Sequence, residues 1–511
     1  MTSKKYIEIR IPFKTEEVLE NGTTEQVISF RKEKLCVEPG KSLYELILEH
    51  TGLFLRGCTR GVCGKCKVRF VGGQTIPSAA DRQHFTPEEL RNGYRLACKS
   101  FVKTDAVVEI HFPMEKQIEI VTKNTMPQEQ PENKKKESQE DQTKDQCVKI
   151  NQELVIVVDV GTTTVAMQLR ETLKGSILQE YAFLNPQVAY GTDVMSRLTR
   201  AREGQQENMA KLLLKQLEKG KEVLLGAIKT EERSVKMFVA GNTTMMHILF
   251  QFPVETLSVY PFQPYTLQYC EKDFEVDGKL LQICGLPGFS AFVGADLTAD
   301  LMTILKENRK ESFLLIDLGT NAEMILSDGE RYASTAAAAG STFTGGTKGK
   351  VLGTDLIKAC AFLKKKGYMD ETGLLCEPFF TEGYAIENDR ITQKDIREIQ
   401  KAKSAISVGI WALCKQMNMK YEDISKVYIA GGFGQFLEVE DAVDIKMIPC
   451  SLQGKVQSVG NIVLEGVYQY AKDSIGSQKR YQEILGRMEV INLAEWDGFE
   501  KKYLEEMNFS E

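Results

Sequence analysis

The sequence predicts a small α+β domain followed by a larger α/β domain. Three observations predict it. First, residues 127–146 (PQEQPENKKKESQEDQTKDQ) hold no aliphatic or aromatic side chain. Such a stretch cannot bury enough apolar surface to offset the entropy of ordering, so it reads as a flexible charged linker. It divides a domain over 1–114 from a region over 151–511, with the linker itself assigned to 115–150. Second, the part before it reads strand, strand, helix, cysteine loop, strand, strand. Third, the part after it alternates β-rich runs with helical periodicity, the pattern of α/β folds. Three of those runs are short, very apolar and end in glycine: 154–161 (LVIVVDVG), 313–319 (FLLIDLG) and 427–432 (VYIAGG).

In the first domain, residues 6–11 and 26–37 alternate or carry β-formers. Pro39-Gly40-Lys41-Ser42 then opens a helix whose apolar positions Leu43, Leu46 and Ile47 share one face, and Thr51-Gly52 closes it. The cysteine loop follows as Cys58-x4-Cys63-x2-Cys66, with Cys98 after 31 further residues. The first three have the spacing of plant-type [2Fe–2S] ligand loops. Between them stand small or polar residues, and the glycines let the backbone wrap and aim N–H groups at sulfur. The predicted metal ligands are therefore Cys58, Cys63, Cys66 and Cys98. The competing four-cysteine zinc site calls for two separated C-x2-C knuckles, and this chain has one such pair here. Four thiolates and no histidine imply a low potential, roughly −400 mV for this cluster type.

Composition narrows the rest. The 511 residues carry a net charge of −6, so no overall basic footprint points to nucleic acid. No apolar run approaches the ~18 residues of a membrane span. The N-terminus enters an alternating strand pattern without the apolar core of a signal peptide, so the expected location is cytoplasmic. The eight remaining cysteines (Cys36, Cys147, Cys270, Cys284, Cys360, Cys376, Cys414, Cys450) read as small apolar side chains. The four histidines, His50, His84, His111 and His247, are dispersed, which disfavours a histidine-rich zinc hydrolase site. His247 reads as a packed side chain.

The second domain carries no G-x-x-x-x-G-K-[ST] loop and no G-x-G-x-x-G after a strand. Instead Asp159-Val160-Gly161-Thr162-Thr163-Thr164 ends one strand and begins another. A glycine and three hydroxyls at a tight hairpin offer donors to phosphate oxygens, and the carboxylate of Asp159 suits hydrated Mg²⁺. Asp317-Leu318-Gly319-Thr320-Asn321-Ala322-Glu323 repeats that grammar 158 residues later. Gly431-Gly432-Phe433-Gly434 supplies a turn that lets backbone approach an adenosine. Taken in order and at this spacing, the three segments resemble the phosphate-1, phosphate-2 and adenosine motifs of the acetate-kinase, sugar-kinase and actin superfamily. That resemblance implies an actin-like, ribonuclease H-like ATPase region. Its lobes are placed at about 151–310 and 311–475, with a helical tail at 476–511. Water attack on a γ-phosphate, assisted by Asp317 or Glu323, is the expected chemistry.

Residues 1–114 resemble the β-grasp ferredoxins through Pro39-Gly40-Lys41-Ser42-Leu43, Lys67-Val68-Arg69-Phe70 and Leu96-Ala97-Cys98. Longer strings resemble the reductive activators of corrinoid-dependent methyltransferases and corrinoid iron–sulfur proteins. They include Asn185-Pro186-Gln187, Tyr190-Gly191-Thr192-Asp193, Ala240-Gly241-Asn242-Thr243-Thr244-Met245-Met246-His247, Val293-Gly294-Ala295-Asp296, Ala402-Lys403, Gly460-Asn461 and Met507-Asn508-Phe509. The resemblance implies ATP-dependent, one-electron reduction of Co(II) to Co(I) in a partner corrinoid protein, supplied by a low-potential electron donor. A homodimer is compatible with it; nucleic acid and membrane are not expected partners. The competing expectations are an energised electron donor to another low-potential metalloenzyme, and a redox-sensing small-molecule kinase. The chain departs from the family at Ala339-Gly340-Ser341-Thr342-Phe343-Thr344-Gly345-Gly346, where a Gly-Pro-Ala-Phe-Glu-Gly loop is usual, so partner choice is open there.

Overall fold

A computed structural model describes residues 5–18, 24–38, 40–51, 61, 64, 66–73, 75–110, 153–228, 235–307, 310–319, 321–340, 353–386, 389–434 and 436–509. The expected linker, Cys58, Cys63, Thr320 and the departing loop at 341–352 lie outside the described residues. The chain forms two compact units, Met1–Glu119 with Asn185–Gln216, and Ile120–Leu184 with Leu217–Glu511.

The first unit is built on strands β1 (Tyr6–Val18), β2 (Thr24–Cys36), β3 (Lys67–Gly72), β4 (Tyr94–Leu96) and β5 (Ala106–Ile110). Their order in one sheet is β2-β1-β5-β3-β4, with β1 parallel to β5 and the other pairs antiparallel. Alternation decides the buried face. Ile7, Ile9, Val68 and Val108 are fully buried, each contributing on the order of 1.5–3 kcal/mol. Helix α1 (Leu43–Thr51) lays Leu43, Leu46 and Ile47 on the same core. Ser42 and Glu45 cap it reciprocally, at 3.3 Å from the Glu45 amide to Ser42 Oγ and 2.7 Å from the Ser42 amide to Glu45 Oε2. Two short helices, α2 (Ala79–His84) and α3 (Pro87–Arg91), bridge β3 to β4. Ala189, Tyr190 and Leu212, from the later segment of this unit, join the same core. This is the β-grasp ferredoxin arrangement.

The second unit repeats one sheet plan twice. The first sheet contains β6 (Leu154–Val160), β7 (Thr164–Glu171), β8 (Ile177–Leu184), β9 (Met237–Gly241), β10 (Cys270–Val276) and β11 (Lys279–Gly285). Its order is β10-β11-β9-β6-β7-β8. The second contains β12 (Phe313–Leu318), β13 (Ala322–Ser327) and β14 (Tyr332–Ala337), then, beyond the separate hairpin of β15 (Tyr384–Ile386) and β16 (Asp389–Ile391), β17 (Lys426–Ala430), β18 (Val456–Gly460) and β19 (Met488–Val490). Its order is β18-β17-β12-β13-β14-β19. In each sheet an antiparallel meander of three strands is extended by two parallel strands, β9 and β11 or β17 and β18. That is the ribonuclease H-like plan, duplicated as in actin-like folds. β6 and β12 sit centrally and are almost wholly apolar, as strands covered on both faces must be. Within the tail read as helical, β19 instead pairs parallel to the edge of β14, giving an otherwise unpaired edge a neighbour.

Two helices are exchanged between the sheets. The helix Ala295–Glu307, which follows the first sheet in sequence, places Leu297, Leu301 and Ile304 in a cluster with Phe313, Leu315 and Tyr428 of the second. The helix Val463–Lys472, which follows the second sheet, packs on that helix and on β6 and β9 of the first. A buried ion pair, Arg170 to Glu465 at 2.6 Å, fixes the second helix to β7.

The C-terminal residues close over the long helix Gln393–Met417. Gln400 donates to the Met507 carbonyl at 2.6 Å, Lys403 to the Asn508 carbonyl at 2.6 Å, and Phe509 is fully buried with the Lys403 ammonium 5.2 Å from its ring centroid. Burial pushes the Lys403 ammonium down to about 7. Phe509→Ala is expected to cost about 3–5 kcal/mol, read as a lower urea midpoint for the second unit. A loss under about 1 kcal/mol would show that the tail is not part of the core. His247 is buried, with its Nε2 accepting from the Tyr265 amide at 3.1 Å and its Nδ1 2.8 Å from the Thr243 carbonyl. With both ring nitrogens engaged, it is a packed, neutral side chain.

Candidate functional site

Two sites are separable, one in each unit. In the first, β3 begins immediately after Cys66, and β4 runs into a 3₁₀ turn (Ala97–Lys99) that carries Cys98. The Ala97 amide donates to the Cys66 carbonyl at 2.9 Å, which holds the two segments in register. Both cysteines are buried, their sulfurs 3.3 Å apart, and they are not joined as a disulfide. A disulfide would bring the sulfurs to about 2.05 Å. Two thiolates on one tetrahedral centre, with metal–sulfur bonds near 2.3 Å, stand about 3.8 Å apart. The pair is thus spaced for sharing a metal, with a few tenths of an ångström to open. Gly61 and Gly64, in the loop between Cys58 and Cys66, have φ of +82° and +69°, the left-handed region that glycine enters without strain. The donor set and the backbone fit an iron–sulfur cluster.

In the second unit, the two hairpins with the D-x-G-T grammar face one cleft. Asp159 is the penultimate residue of β6, opposite Ala166 of β7, and Asp317 pairs with Glu323 across β12 and β13. The turn between β6 and β7 requires glycine, because a Cβ at Gly161 would stand 2.7 Å from the Thr164 carbonyl oxygen. Thr162 is buried and its hydroxyl accepts from Asn242 Nδ2 at 3.0 Å. Thr163 and Thr164 are half-buried in the same turn. In the second hairpin the Gly319 amide donates to the Asn321 carbonyl at 2.9 Å. Gly431 (φ +87°) lies directly against this hairpin, since a Cβ there would fall 2.3 Å from Asp317 Oδ1. Gly432 faces open space, while Phe433 packs on the core and Gly434 on Ile429.

The structure brings Asp159, Asp317 and Glu323 together and adds two carboxylates that sequence reasoning missed. Asp296 and Asp300 lie one turn apart on the helix Ala295–Glu307. Asp300 is fully buried, and neither carboxylate oxygen has a hydrogen-bond partner among the described residues. Glu323 is also buried, with Oε2 3.5 Å from the Gly294 amide. Asp159 accepts from Asn461 Nδ2 at 2.9 Å. Burial raises the Asp159 carboxyl to about 6, with the Asn461 bond pulling the other way. Burial and then the Asp159 charge raise Asp296 to about 7. Burial and then the charges of Asp296 and Asp159 raise Asp317 to about 8. Asp300 and Glu323 shift the same way, from burial first and neighbouring carboxylates second. Buried carboxyls crowded together hold their protons more tightly than separate ones. A hydrated divalent ion, which takes one or two carboxylates and several waters, would discharge them, so the donor chemistry fits Mg²⁺ with a phosphate chain. A signal for the missed pair was present: two acids four residues apart on a helix, each directly followed by a leucine.

These shifts set a pH dependence. A carboxyl that holds its proton more tightly folded than unfolded stabilises the fold below about pH 4, and that stability is lost as pH rises through the folded value. The metal-free protein is therefore expected to lose several degrees of Tm between pH 5 and pH 7, and Mg²⁺ with ATP to restore more of it at pH 7 than at pH 5. Lys403, whose folded value is depressed, adds stability only above about pH 7 and leaves this window clear. A flat Tm across pH 5–7 would contradict the crowded-carboxylate description.

The fold and the two sites define a class, a ferredoxin-type iron–sulfur domain joined to an actin-like, ATPase-type fold. Family descriptions agree piece by piece. A 2Fe-2S iron-sulfur cluster binding domain matches residues 28–103, the RACo middle region matches 154–307, and the C-terminal domain of RACo, its ASKHA domain, matches 311–352 and 350–511. The chain belongs to the RACo family. It is 27% identical over 391 residues to the corrinoid activation enzyme RamQ of Eubacterium limosum, a match covering 63% of this chain and 65% of that one. It is 24% identical over 281 residues to the [Co(II) methylated amine-specific corrinoid protein] reductase of Methanosarcina barkeri, covering 44% and 51%. The chain thus spans less than two thirds of the length of these relatives. Among solved structures, a reductive activator for a corrinoid, iron–sulfur protein aligns over 98% of both chains with a TM-score of 0.62 at 21% identity, which establishes the shared fold. Among the described residues no helix is long and apolar enough to cross a membrane.

Proposed function

We propose that this protein is an ATP-dependent reductive activator that passes one electron to Co(II) of a partner corrinoid protein, giving Co(I). The observation that carries the reading is the pairing, in one chain, of a metal-spaced thiol pair with a five-carboxylate cleft between duplicated lobes. The names of the relatives supply the corrinoid partner. Cys58, Cys63, Cys66 and Cys98 would hold a [2Fe–2S] cluster in a domain over 1–114, and the cluster supplies a one-electron carrier of low potential. Its thiolates need a reducing compartment, which supports a cytoplasmic location and a low-potential donor upstream.

In the region over 151–511, Asp159, Asp296 and Asp317 would hold hydrated Mg²⁺. Gly161, Thr162, Thr163 and Thr164 would grip phosphate oxygens from one side, and Gly319, Thr320 and Asn321 from the other. Gly431, Gly432, Phe433 and Gly434 would form the adenosine turn. Phosphoryl transfer to water asks mainly for positioning and charge neutralisation. Asp317 or Glu323 would orient the attacking water. Each 59 mV of one-electron uphill gap corresponds to about 1.4 kcal/mol, and ATP binding and hydrolysis can offset it only by favouring one conformation of the two lobes over another.

The test is anaerobic mixing of reduced, iron-loaded protein with Mg-ATP and candidate Co(II) corrinoid proteins. Loss of the Co(II) absorbance with phosphate release that the corrinoid protein stimulates is the expected result. Phosphate transferred to a small molecule with cobalt unchanged would instead establish the kinase reading.

A further inference from the structure

A cavity of about 660 Å³ opens on the first unit, at the end of β3 and β4 opposite to Cys66 and Cys98. Three guanidiniums line it: Arg69 from β3, Arg91 from the end of α3 and Arg95 from β4. No acid stands among its described lining residues. Two of the three are fixed by neutral acceptors. Arg69 Nε donates to the Asn92 carbonyl at 3.2 Å. Arg95 is buried; its Nη1 donates to the Leu90 and Tyr94 carbonyls at 2.9 and 2.7 Å, and its Nη2 to the Thr75 carbonyl at 3.3 Å. Its Nε has no partner among the described residues. Carbonyls orient a guanidinium without cancelling its charge.

The nearest acids are engaged elsewhere. Asp81, whose charge acts on Arg95, spends Oδ2 on the Ser78 amide at 2.6 Å and Oδ1 on the Leu96 amide at 2.7 Å. Glu109 stands 3.9 Å from Arg69 and is shared with Arg10 at 3.4 Å. A chain of net charge −6 thus carries a locally cationic hollow. Two apolar side chains stand in water among its lining, Ile76 at 88% and Val71 at 39% exposure. Arginine beside an exposed apolar side chain is the composition of a protein interface rather than of a small-anion site. Arg69 and Arg95 are each three residues from a cysteine, Cys66 and Cys98. Their Cα atoms therefore lie within about 11 Å of those of the cysteines, three steps of about 3.8 Å. A partner seated here comes close to the redox centre.

We propose that this hollow is where a low-potential electron-donor protein docks, its carboxylates meeting Arg69, Arg91 and Arg95 around Ile76. This rests on the reading that the first unit carries a [2Fe–2S] cluster that reduces cobalt. In that reading delivery to cobalt is the step that ATP drives, whereas reloading the cluster needs no nucleotide. A face built wholly from residues 69–95 suits reloading. Weak electron-transfer encounters bury under about 1,200 Å², and complementary charge gives them speed more than affinity. One electron leaves the reduced donor and enters the oxidised cluster; no bond forms or breaks.

The experiment loads the full chain with iron anaerobically and follows, by stopped flow, reduction of its cluster by a reduced flavodoxin of net negative charge. Wild type is compared with Arg91→Glu, Arg69→Glu and Lys32→Glu, the last an exposed cation on β2 at the opposite edge of the sheet. The expected result is a second-order rate lowered about tenfold at low salt in Arg91→Glu and Arg69→Glu, with Lys32→Glu unchanged. The difference should vanish at high salt, where exposed charges are screened. The same variants, reduced chemically and given Mg-ATP, should pass their electron to a Co(II) corrinoid protein at the wild-type rate. If Arg69→Glu holds no iron, the exposed Arg91 decides alone. Equal donor rates at full iron content, or a deficit that persists at high salt, overturns the docking and leaves the cluster standing. A loss confined to the cobalt step would seat the corrinoid protein here instead and overturns it as well, as does inhibition by inorganic phosphate beyond that of chloride at the same ionic strength. A wild-type protein that takes up no iron overturns the cluster reading itself.

Discussion

Replacing Cys98 by alanine is expected to abolish the visible spectrum of the reconstituted protein and to lower cobalt reduction by more than about 100-fold, the upper end of what loss of an outer-shell partner alone brings. Cys98 and Cys66 present buried sulfurs 3.3 Å apart at the ends of two segments joined by an amide–carbonyl bond. Removing one leaves three cysteines for a four-thiolate site. The fold itself should survive, because a buried cysteine behaves as a small apolar side chain and its deletion costs only about 1 kcal/mol for the lost volume. ATP hydrolysis without partner should persist, because the carboxylate cleft belongs to the other unit. An unchanged spectrum would remove the ligand assignment; loss of basal hydrolysis as well would show that the variant had simply unfolded.

Asp317→Asn should move stability and turnover in opposite directions. The carboxylate lies at the end of β12 under Gly431, where burial first and then the charges of Asp296 and Asp159 hold it at about 8. Asparagine is nearly isosteric and neutral without the proton that a carboxyl held at about 8 must take up to fold at pH 7. The metal-free variant should therefore melt a few degrees higher at pH 7, as expected when a strained functional site is relieved. Mg-ATP hydrolysis should fall by about 10²–10³, the scale on which loss of one positioned electrostatic group is felt. Thermal denaturation and phosphate release on the same preparation check both halves. A variant that melts lower, or that hydrolyses ATP at the wild-type rate, would show that Asp317 is structural.

What was legible in the sequence was local. The cysteine spacing reads directly because three ligands fall within nine residues, and glycines between them announce the wrap. The two hairpins read because strand, acid, glycine and hydroxyl follow one another without interruption. The helix over Leu43–Thr51 read from three apolar positions on one face. The partners of the hairpins did not read, because they arrive from far along the chain. Asn461 meets Asp159 across 302 residues, and Asn242 meets Thr162 across 80. Asp296 and Asn461 stood within strings that resemble the family, yet nothing in those strings gave them a role; Asp300 stood in none. Only the exchange of the helices Ala295–Glu307 and Val463–Lys472 carries them to the hairpins. The strand at Met488–Val490 was missed for the same reason, its partner β14 lying 156 residues earlier.

That exchange makes the two halves of the second unit mutually dependent. Asp296 and Asp300 descend from the early half on a helix seated against the late sheet, and Asn461 descends from the late half just ahead of a helix seated against the early sheet. Cutting the chain near residue 310 would leave each fragment with a bare sheet face and a helix that has lost its seat, so neither should fold alone, and only co-expression should recover both. Inheritance is constrained in the same way. A substitution under either helix is felt by the opposite acid, so the halves cannot drift apart in sequence as freely as two separately folded modules could.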